Sequence, residues 1–254
     1  MKILLCNDDG INASGLIALA GELVKCAEVI VVAPDCERSA ASNSLTLAHP
    51  LRVKEISFPF PVKKAYAVSG TPADCAKIAL ANLLPEKPDM VISGINRGPN
   101  MCVDVFYSGT VAAAFEGAVK GICSMAVSLD SSDANADYST AARVAACCAQ
   151  KIAGSDISKD CIYNLNVPAI AYDEIKGIRV TRAGKVDYQE VYDKRIDPYG
   201  RTYYWIQGNP MIVDKSEDCD IVAVKSGYVS ITPLVTNLTC SKPLEQIKGL
   251  FDKM

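Results

Sequence analysis

Hydrophobic positions in the first 153 residues follow two alternating periodicities. Short apolar runs predict buried strands, and between them apolar residues recur at the three- and four-residue spacing of a helix. The first unit is a strand at 2–6, a helix through GLIALAGELVKC and a strand at 28–33. The same alternation then predicts strands at 66–70, 89–96 and 124–130, and helices starting at Pro72 behind the cap residue Thr71, at 107–121 and at 138–153.

Strands that alternate with helices in this way indicate the α/β class. We expect an open, mostly parallel sheet with helices on both faces. Ligands of such sheets bind beyond the carboxyl ends of the strands. The residues that directly follow each predicted strand are therefore the first places to look for chemistry.

The pattern changes after about residue 160, where the chain becomes β-rich and tyrosine-rich. Asp197-Pro198-Tyr199-Gly200 is a turn signal between two β-prone segments, so 186–207 is predicted to be a long hairpin. A two-stranded hairpin is barely stable alone, and we expect it to pack on a second subunit. No linker or repeat divides the chain, which predicts one domain with a core at 1–185 and an extension at 186–254.

Composition narrows the class further. The chain has 254 residues, half of them apolar, and a net charge of -3. Its Lys and Arg residues are scattered, so polymeric nucleic acid is not an expected partner. No apolar run has the length of a signal-peptide core or a membrane span, and the expected location is the cytoplasm without a membrane partner.

The eleven cysteines do not form a recognisable metal or disulfide pattern. No CxxC occurs, and His49 is the single histidine in the sequence, so the usual zinc ligand sets cannot be assembled. We interpret the cysteines as reduced thiols, mostly buried.

Candidate chemistry begins where the first strand ends, at Asn7-Asp8-Asp9-Gly10. Adjacent aspartates repel, and a fold that holds them together usually has a cation between them. The alternative is that one aspartate caps the next helix and the other is solvated. Further oxygen donors follow the next strands: Ser39, Ser42, Asn43 and Ser44 in one loop, and Asn96 and Asn100 in another. Oxygen ligands without His or Cys favour Mg²⁺, Mn²⁺ or Ca²⁺.

A second candidate element is the start of the helix in YSGTVAAAFEG. Ser108, Gly109 and Thr110 stand where free N–H groups and the helix dipole favour an anion. Alone, this stretch would be an ordinary helix cap. Beside a divalent cation, it suggests phosphoryl chemistry.

Several motifs, in order along nearly the whole chain, resemble those of the SurE family, the survival protein E phosphatases. They are NDDGI (7–11), PDCERSAASNSLT (34–46), SGTPADC (69–75), SGINRGPNMCVDVFYSGTVAAAFEG (93–117), RIDPYGRTYYW (195–205) and GYVSITPL (227–234). The number and order of these motifs make the resemblance far more specific than any single short pattern.

The resemblance implies a Rossmann-like core and metal-dependent hydrolysis of nucleoside 5′- or 3′-monophosphates, with short polyphosphate as a further substrate in some relatives. It implies one Mg²⁺ or Mn²⁺ per subunit. The implied metal ligands are Asp8, Asp9, Ser39 and Asn96, and the implied phosphate contacts are Asn43, Ser108, Gly109 and Thr110. It also implies that the hairpin and residues 235–254 are exchanged between subunits in dimers or tetramers.

The mechanism we hypothesise is attack by a water molecule that the cation activates, with Asp8 or Asp9 accepting the proton. The proton donor to the leaving group is open between His49 and a metal-bound water, and Asp104 and Tyr107 are candidates for positioning the substrate, or they are core or interface residues. Two other functions stay open as well. One is a phosphatase with an aspartyl-phosphate intermediate, although its DxD pattern is lacking here. The other is a nucleotide-binding regulator without hydrolysis.

The predicted hairpin also carries a cluster of aromatic residues that allows two interpretations. They could stack on nucleobases, or they could pack in a subunit interface, which is the commoner role of such a cluster. The residues are Tyr188, Tyr192, Tyr199, Tyr203, Tyr204 and Trp205.

Overall fold

The structure is a computed structural model that describes residues 1–188, 191–208 and 210–251. Its strands are β1 (Lys2–Cys6), β2 (Glu28–Pro34), β3 (Val53–Glu55), β4 (Lys64–Val68), β5 (Met90–Arg97), β6 (Cys123–Asp130), β7 (Cys161–Pro168), β8 (Ile178–Val180), β9 (Val186–Tyr188), β10 (Val191–Ile196), β11 (Thr202–Gln207), β12 (Pro210–Ile212) and β13 (Val229–Val235). Its α-helices are α1 (Ser14–Leu23), α2 (Pro72–Ile78), α3 (Gly109–Val119), α4 (Ser139–Ala153), α5 (Asp220–Lys225) and α6 (Ser241–Phe251).

Nine of the described strands form one sheet in the order β3-β4-β2-β1-β5-β6-β7-β13-β8. The six strands from β4 to β7 in this order are parallel, whereas β3 and β13 run antiparallel to their neighbours β4 and β7. The strand β1 lies between β2 and β5, so the ends of these three strands are neighbours. The predicted mostly parallel α/β sheet is confirmed.

Helices cover both faces of the sheet, as expected. On one face α1 and α4 pack together over β1, β5, β6 and β7, and on the other α2 packs against α3. The central strands are buried on both sides, which explains their nearly continuous apolar sequences. This arrangement leaves the strand ends and their loops as the places where polar groups collect.

Local sequence signals fixed most element boundaries. Thr71 caps α2 as predicted, because its hydroxyl accepts from the Asp74 N–H and the Asp74 carboxylate accepts from the Thr71 N–H. Ser108 caps α3 by accepting from the Val111 N–H at 3.1 Å. The predicted strand at 66–70 lies two residues earlier, at Lys64–Val68, because Ser69 and Gly70 belong to the turn before the cap.

The tyrosine-rich segment forms an antiparallel arm, described at residues 186–188, 191–208 and 210–212. Its outer part is the hairpin of β10 and β11, and its base is the pair β9 and β12. The arm is therefore longer than the predicted hairpin at 186–207. Parts of the predicted hairpin (189, 190) and of the predicted exchanged segment (252–254), together with residue 209, lie outside the described residues.

The chain returns to the core after the arm, which the sequence did not predict. The helix α5 packs on β13, and β13 pairs with both β7 and β8 in the central sheet. The segment 186–254 is thus not one continuous extension. All eleven cysteines are free thiols, but Cys36, Cys147 and Cys240 are exposed rather than buried.

Close packing of α1 on the end of β5 depends on Gly15. An ideal Cβ on Gly15 would lie 2.1 Å from the Ile95 carbonyl oxygen, a backbone atom that cannot move aside without shifting Asn96. The end of β5 is irregular here, because its register with β6 shifts between Ser93 and Asn96. The absence of a side chain at position 15 therefore helps to place Asn96.

We predict that Gly15→Ala lowers the free energy of unfolding by about 1–3 kcal/mol, the usual cost of overpacking. Urea denaturation measures this change. The matched control is Gly154→Ala at the end of α4, where the nearest atom to an added Cβ is 3.5 Å away, an ordinary contact. Equal unfolding midpoints for the two variants would contradict the proposed packing constraint.

Candidate active site

The loops after β1, β2 and β5 converge at the carboxyl edge of the sheet. The loop after β2 is bonded to the loop after β1, since the Ile11 N–H donates to the Pro34 carbonyl at 2.8 Å and the Arg38 N–H donates to the Asp8 carbonyl at 2.8 Å. Gly10 lies between Asp8 and Ile11 in the loop after β1, and its φ of +100° is a conformation that favours glycine. These bonds bring Ser39 to the acidic pair.

The converging loops surround a cleft of about 330 Å³. All four predicted metal ligands line it, and so does one predicted phosphate contact, Ser108. The full lining is Asp8, Asp9, Glu37, Ser39, Ala40, Asn96, Arg97, Pro99, Asn100, Asp104, Tyr107 and Ser108. The cleft therefore brings together oxygen donors from three strand ends and from the start of α3.

Asp8 is the most buried acid in the cleft, with 6% of its surface exposed. Its carboxylate accepts a short hydrogen bond from the Thr110 hydroxyl of α3. Burial raises the pKa of Asp8 to about 7, and the charge of Asp9 adds to this, while the Thr110 hydroxyl and the N–H groups of Asp8 and Thr110 act in the opposite direction. The ionised form of Asp8 is thus poorly compensated by the protein alone.

Asp9 is half-buried beside Asp8. Its carboxylate accepts from the Arg97 N–H at 3.1 Å. Burial raises the pKa of Asp9, and the nearby Glu37 charge raises it further, whereas the Arg97 N–H and the Arg97 charge lower it. Two neighbouring carboxylates are therefore both held in surroundings that disfavour negative charge.

The two neutral candidate ligands are oriented by short local bonds. The Ser39 hydroxyl donates to Glu37 Oε1 at 2.6 Å. The Asn96 amide nitrogen donates to the Gly98 carbonyl at 2.8 Å, which holds the side chain at the cleft. Each keeps oxygen lone pairs that can serve a cation.

These residues fit a hard divalent cation. Within the described residues neither Asp8 nor Asp9 forms an ion pair, because Arg38 pairs with Asp35 at 3.4 Å and Arg97 with Glu37 at 3.8 Å. Carboxylate, amide and hydroxyl oxygens are the ligands of Mg²⁺ and Mn²⁺. No three acids, cysteines or histidines in the described ranges form a metal cluster, so a cation here would depend on two acids and neutral donors.

The start of α3 contacts Asp8 and also lies where an anion could bind. Thr110 is fully buried and commits its hydroxyl to Asp8. An ideal Cβ on Gly109 would lie 2.8 Å from Asp8 Cβ, so glycine is required for this close approach. Ser108 lines the cleft, although it is largely buried and its hydroxyl caps the helix. Because the Thr110 hydroxyl is engaged by Asp8 and Gly109 has no side chain, the predicted phosphate contacts at these two positions would have to come from their backbone N–H groups.

Two sequence candidates lie away from the cleft. Asn43 is exposed and is not among the lining residues, so its phosphate contact stays a prediction. Its neighbour Ser42 is nevertheless bonded to the segment before α3, through Ser42 N to the Tyr107 carbonyl at 3.1 Å. His49 is exposed in a bend and lies outside the lining of the cleft.

The cleft also contains residues whose contacts the sequence did not predict. Asp104 accepts from the Tyr188 hydroxyl with both carboxylate oxygens, at 2.7 and 2.6 Å. This bond joins the base of the arm to the cleft. Glu37 and Arg97 are further lining residues, and they flank Asp9. In the sequence motifs Glu37 and Arg97 are close to the predicted ligands Ser39 and Asn96, but the motifs did not indicate a role for either charge.

Asn100 ties the cleft to the interior of the sheet. Its N–H donates to Asn166 Oδ1 at 2.9 Å, and its carbonyl accepts from Asn164 Nδ2 at 2.8 Å and Asn166 Nδ2 at 3.0 Å. Its own amide donates to Ser128 Oγ at 2.8 Å. Buried polar groups of β6 and β7 thereby hold the loop between β5 and α3 in place.

Comparison with known proteins identifies the family. Residues 3–190 match the family model described as Survival protein SurE. The chain belongs to the SurE family. It is 47% identical over 247 residues to 5'-nucleotidase SurE of Heliobacterium modesticaldum, covering 97% of this chain and 90% of that protein. It is also 47% identical over 251 residues to 5'-nucleotidase SurE of Pelotomaculum thermopropionicum, covering 98% and 95%.

A solved SurE structure has the same fold. The crystal structure of SurE protein from Aquifex aeolicus superimposes with a TM-score of 0.87 at 42% identity, over 98% of this chain and 99% of that chain. The SurE fold therefore includes the arm and the returning strand β13 within its aligned length. In the described part of the chain, every helix is too short or too polar to span a bilayer.

We predict that Thr110→Val lowers the free energy of unfolding by about 1–3 kcal/mol, because the buried Asp8 carboxylate loses a donor. Thermal and urea denaturation in the presence of a chelator measure the effect without a cation. Thr110→Ser is the matched control, since it keeps the hydroxyl. If valine and serine at position 110 are equally destabilising, the Thr110–Asp8 bond does not support the site.

Proposed function

We propose that this SurE protein is a 5'-nucleotidase, a hydrolase that releases phosphate from nucleoside monophosphates. The observation that carries the proposal is the pair Asp8 and Asp9, two carboxylates without an ion pair among the described residues, next to the start of α3. Relatives with more than 40% identity over nearly the full length bear that activity in their names. Nucleoside 3'-monophosphates and short polyphosphate are proposed as secondary substrates.

The proposed cofactor is one divalent cation per subunit, Mg²⁺ or Mn²⁺. Asp8, Asp9, Ser39 and Asn96 would hold it, since all four line one cleft and offer oxygen atoms. When bound, such a cation polarises a phosphoryl oxygen and makes a neighbouring water more acidic. It would also offset the repulsion and burial that raise the pKa values of both aspartates.

The chain's own groups would position the substrate and move the proton. The start of α3 at Ser108 and Gly109 would donate backbone N–H groups to the phosphate. A donor that stabilises the negative charge developing in a transition state contributes about 3 kcal/mol in oxyanion holes. Asp9 is less buried than Asp8 and is not committed to Thr110, so it is our candidate for accepting the proton of the attacking water. Asp8 then serves mainly as an anchor between β1 and α3.

We predict that Asp9→Asn lowers phosphate release from AMP by about 100-fold or more, because it removes both a cation ligand and a proton acceptor. Phosphate release with Mn²⁺ or Mg²⁺, and with a chelator, measures this. Calorimetric titration with Mn²⁺ gives a second readout, and we expect its affinity to fall in the same variant.

The matched control is Asp35→Asn, which changes an exposed acid of the neighbouring loop that lies outside the cleft lining. It should keep both activity and Mn²⁺ affinity. A folded Asp9→Asn protein with normal turnover would refute the proposed site. Wild-type protein that binds AMP but never releases phosphate would favour a nucleotide-binding regulator instead.

We also propose that the arm and α6 form subunit contacts in a homodimer or homotetramer. Register places Tyr192, Ile196, Tyr204 and Ile206 on one face of the hairpin, and all four are exposed in the single chain. Leu244, Ile247, Leu250 and Phe251 are likewise exposed on α6. Apolar surface of this extent usually marks a protein interface.

We predict that Ile206→Asp shifts the protein toward the monomer, because a charge would replace an exposed apolar side chain among Tyr192, Ile196 and Tyr204. Sedimentation velocity at micromolar concentration measures the distribution of masses. Gln207→Asp is the matched control, since it places the same charge on the opposite face of the same strand. A monomeric wild-type protein, or equal masses for both variants, would contradict the interface.

A further inference from the structure

Tyr107 is an exposed aromatic residue at a polar site. It lines the cleft that contains Asp8, Asp9 and Ser108, and 62% of its surface is exposed. Tyr107 is the single aromatic residue among the described residues that line the cleft. The other lining residues are acids, amides, serines, an arginine and small apolar residues. The exposed aromatic residues on the outer part of the arm do not belong to this lining.

The backbone of Tyr107 is fixed on both sides. Its N–H donates to the Asp104 carbonyl at 3.0 Å, and its carbonyl accepts from the Ser42 N–H at 3.1 Å. The Ser42 hydroxyl donates to the preceding carbonyl, that of Phe106, at 2.6 Å. The next residue, Ser108, caps α3. The ring thus projects from a held backbone, one residue before the proposed phosphate position.

This placement suits one part of a mononucleotide. The oxygen and N–H groups of the cleft can serve phosphate and ribose, but they offer no flat apolar surface to a base. Tyr107 supplies such a surface at little entropic cost, since its backbone is already ordered.

We propose that Tyr107 forms a nucleobase-binding subsite by stacking its ring on the base of a nucleoside monophosphate. The proposal rests on the proposed nucleotidase function and deepens it. Stacking needs a π-face and no particular hydrogen-bond pattern, so the subsite accepts purines and pyrimidines alike. It selects nucleotides over phosphate esters that have no base.

The test compares AMP and UMP with ribose 5-phosphate, which has the same reacting group and no base. For Tyr107→Ala we expect the ratio of kcat/KM for each nucleotide to that for ribose 5-phosphate to fall by about 5- to 100-fold, the range for loss of one stacked base. Tyr107→Phe keeps the ring and should keep the ratio.

Phe106→Ala is the matched control, because Phe106 is the adjacent residue, is 60% exposed and lies outside the cleft lining. It should leave the ratio unchanged. The proposal is overturned if Tyr107→Ala affects nucleotides and ribose 5-phosphate equally, or affects neither. It is also overturned if the kcat/KM ratio falls as far for Tyr107→Phe as for Tyr107→Ala.

A failure of the proposed function gives a different result. In that case the wild-type protein hydrolyses neither class of ester, and calorimetric binding of AMP and ribose 5-phosphate replaces the kinetics. A loss of AMP affinity in Tyr107→Ala, with ribose 5-phosphate binding retained, would support the base subsite on its own. Unchanged AMP affinity would overturn it.

Discussion

The hydrogen bond between Thr110 and the buried carboxylate of Asp8 is the interaction on which the candidate site depends. It joins the end of β1 to the start of α3, two segments 102 residues apart. A buried carboxylate without a cationic partner costs several kcal/mol, and donors from α3 offset part of that cost. Gly109 permits the close approach because it has no side chain to collide with Asp8. The position of the acid and the position of the helix are therefore set together.

A second set of buried polar contacts holds the segment between β5 and α3. Asp220 is fully buried at the start of α5, and it accepts from the Cys102 N–H at 2.9 Å and the Gly184 N–H at 3.0 Å. Cys102 has a φ of 54°, an uncommon conformation for a residue with a side chain, and this bond helps to hold it. Together with the contacts of Asn100, these bonds connect residues of the carboxyl-terminal half to the segment between β5 and α3, which borders the cleft.

Sequence periodicity was enough to predict the parallel sheet, because the apolar runs and the cap at Thr71 are local signals. It also placed Asp8, Asp9, Ser39 and Asn96 at one edge, since the ends of parallel strands meet there. The partners of these residues were beyond its reach. Nothing local to Thr110 shows that its hydroxyl serves Asp8, or that Tyr188 reaches Asp104 across 84 residues. Such pairs follow from strand order and loop course, which pattern alone does not determine.

The site therefore divides into a fixed part and an adaptable part. The acids directly follow β1, and the Arg38 N–H and the Thr110 hydroxyl bond Asp8 to the loop after β2 and to the start of α3, so a shift of Asp8 would disturb both elements. Tyr107 and the loop with Ser42 lie on the surface, where exchange of a side chain costs little stability. The proposed phosphate chemistry is thus tied to the fold itself, whereas the proposed base contact depends on one exposed side chain.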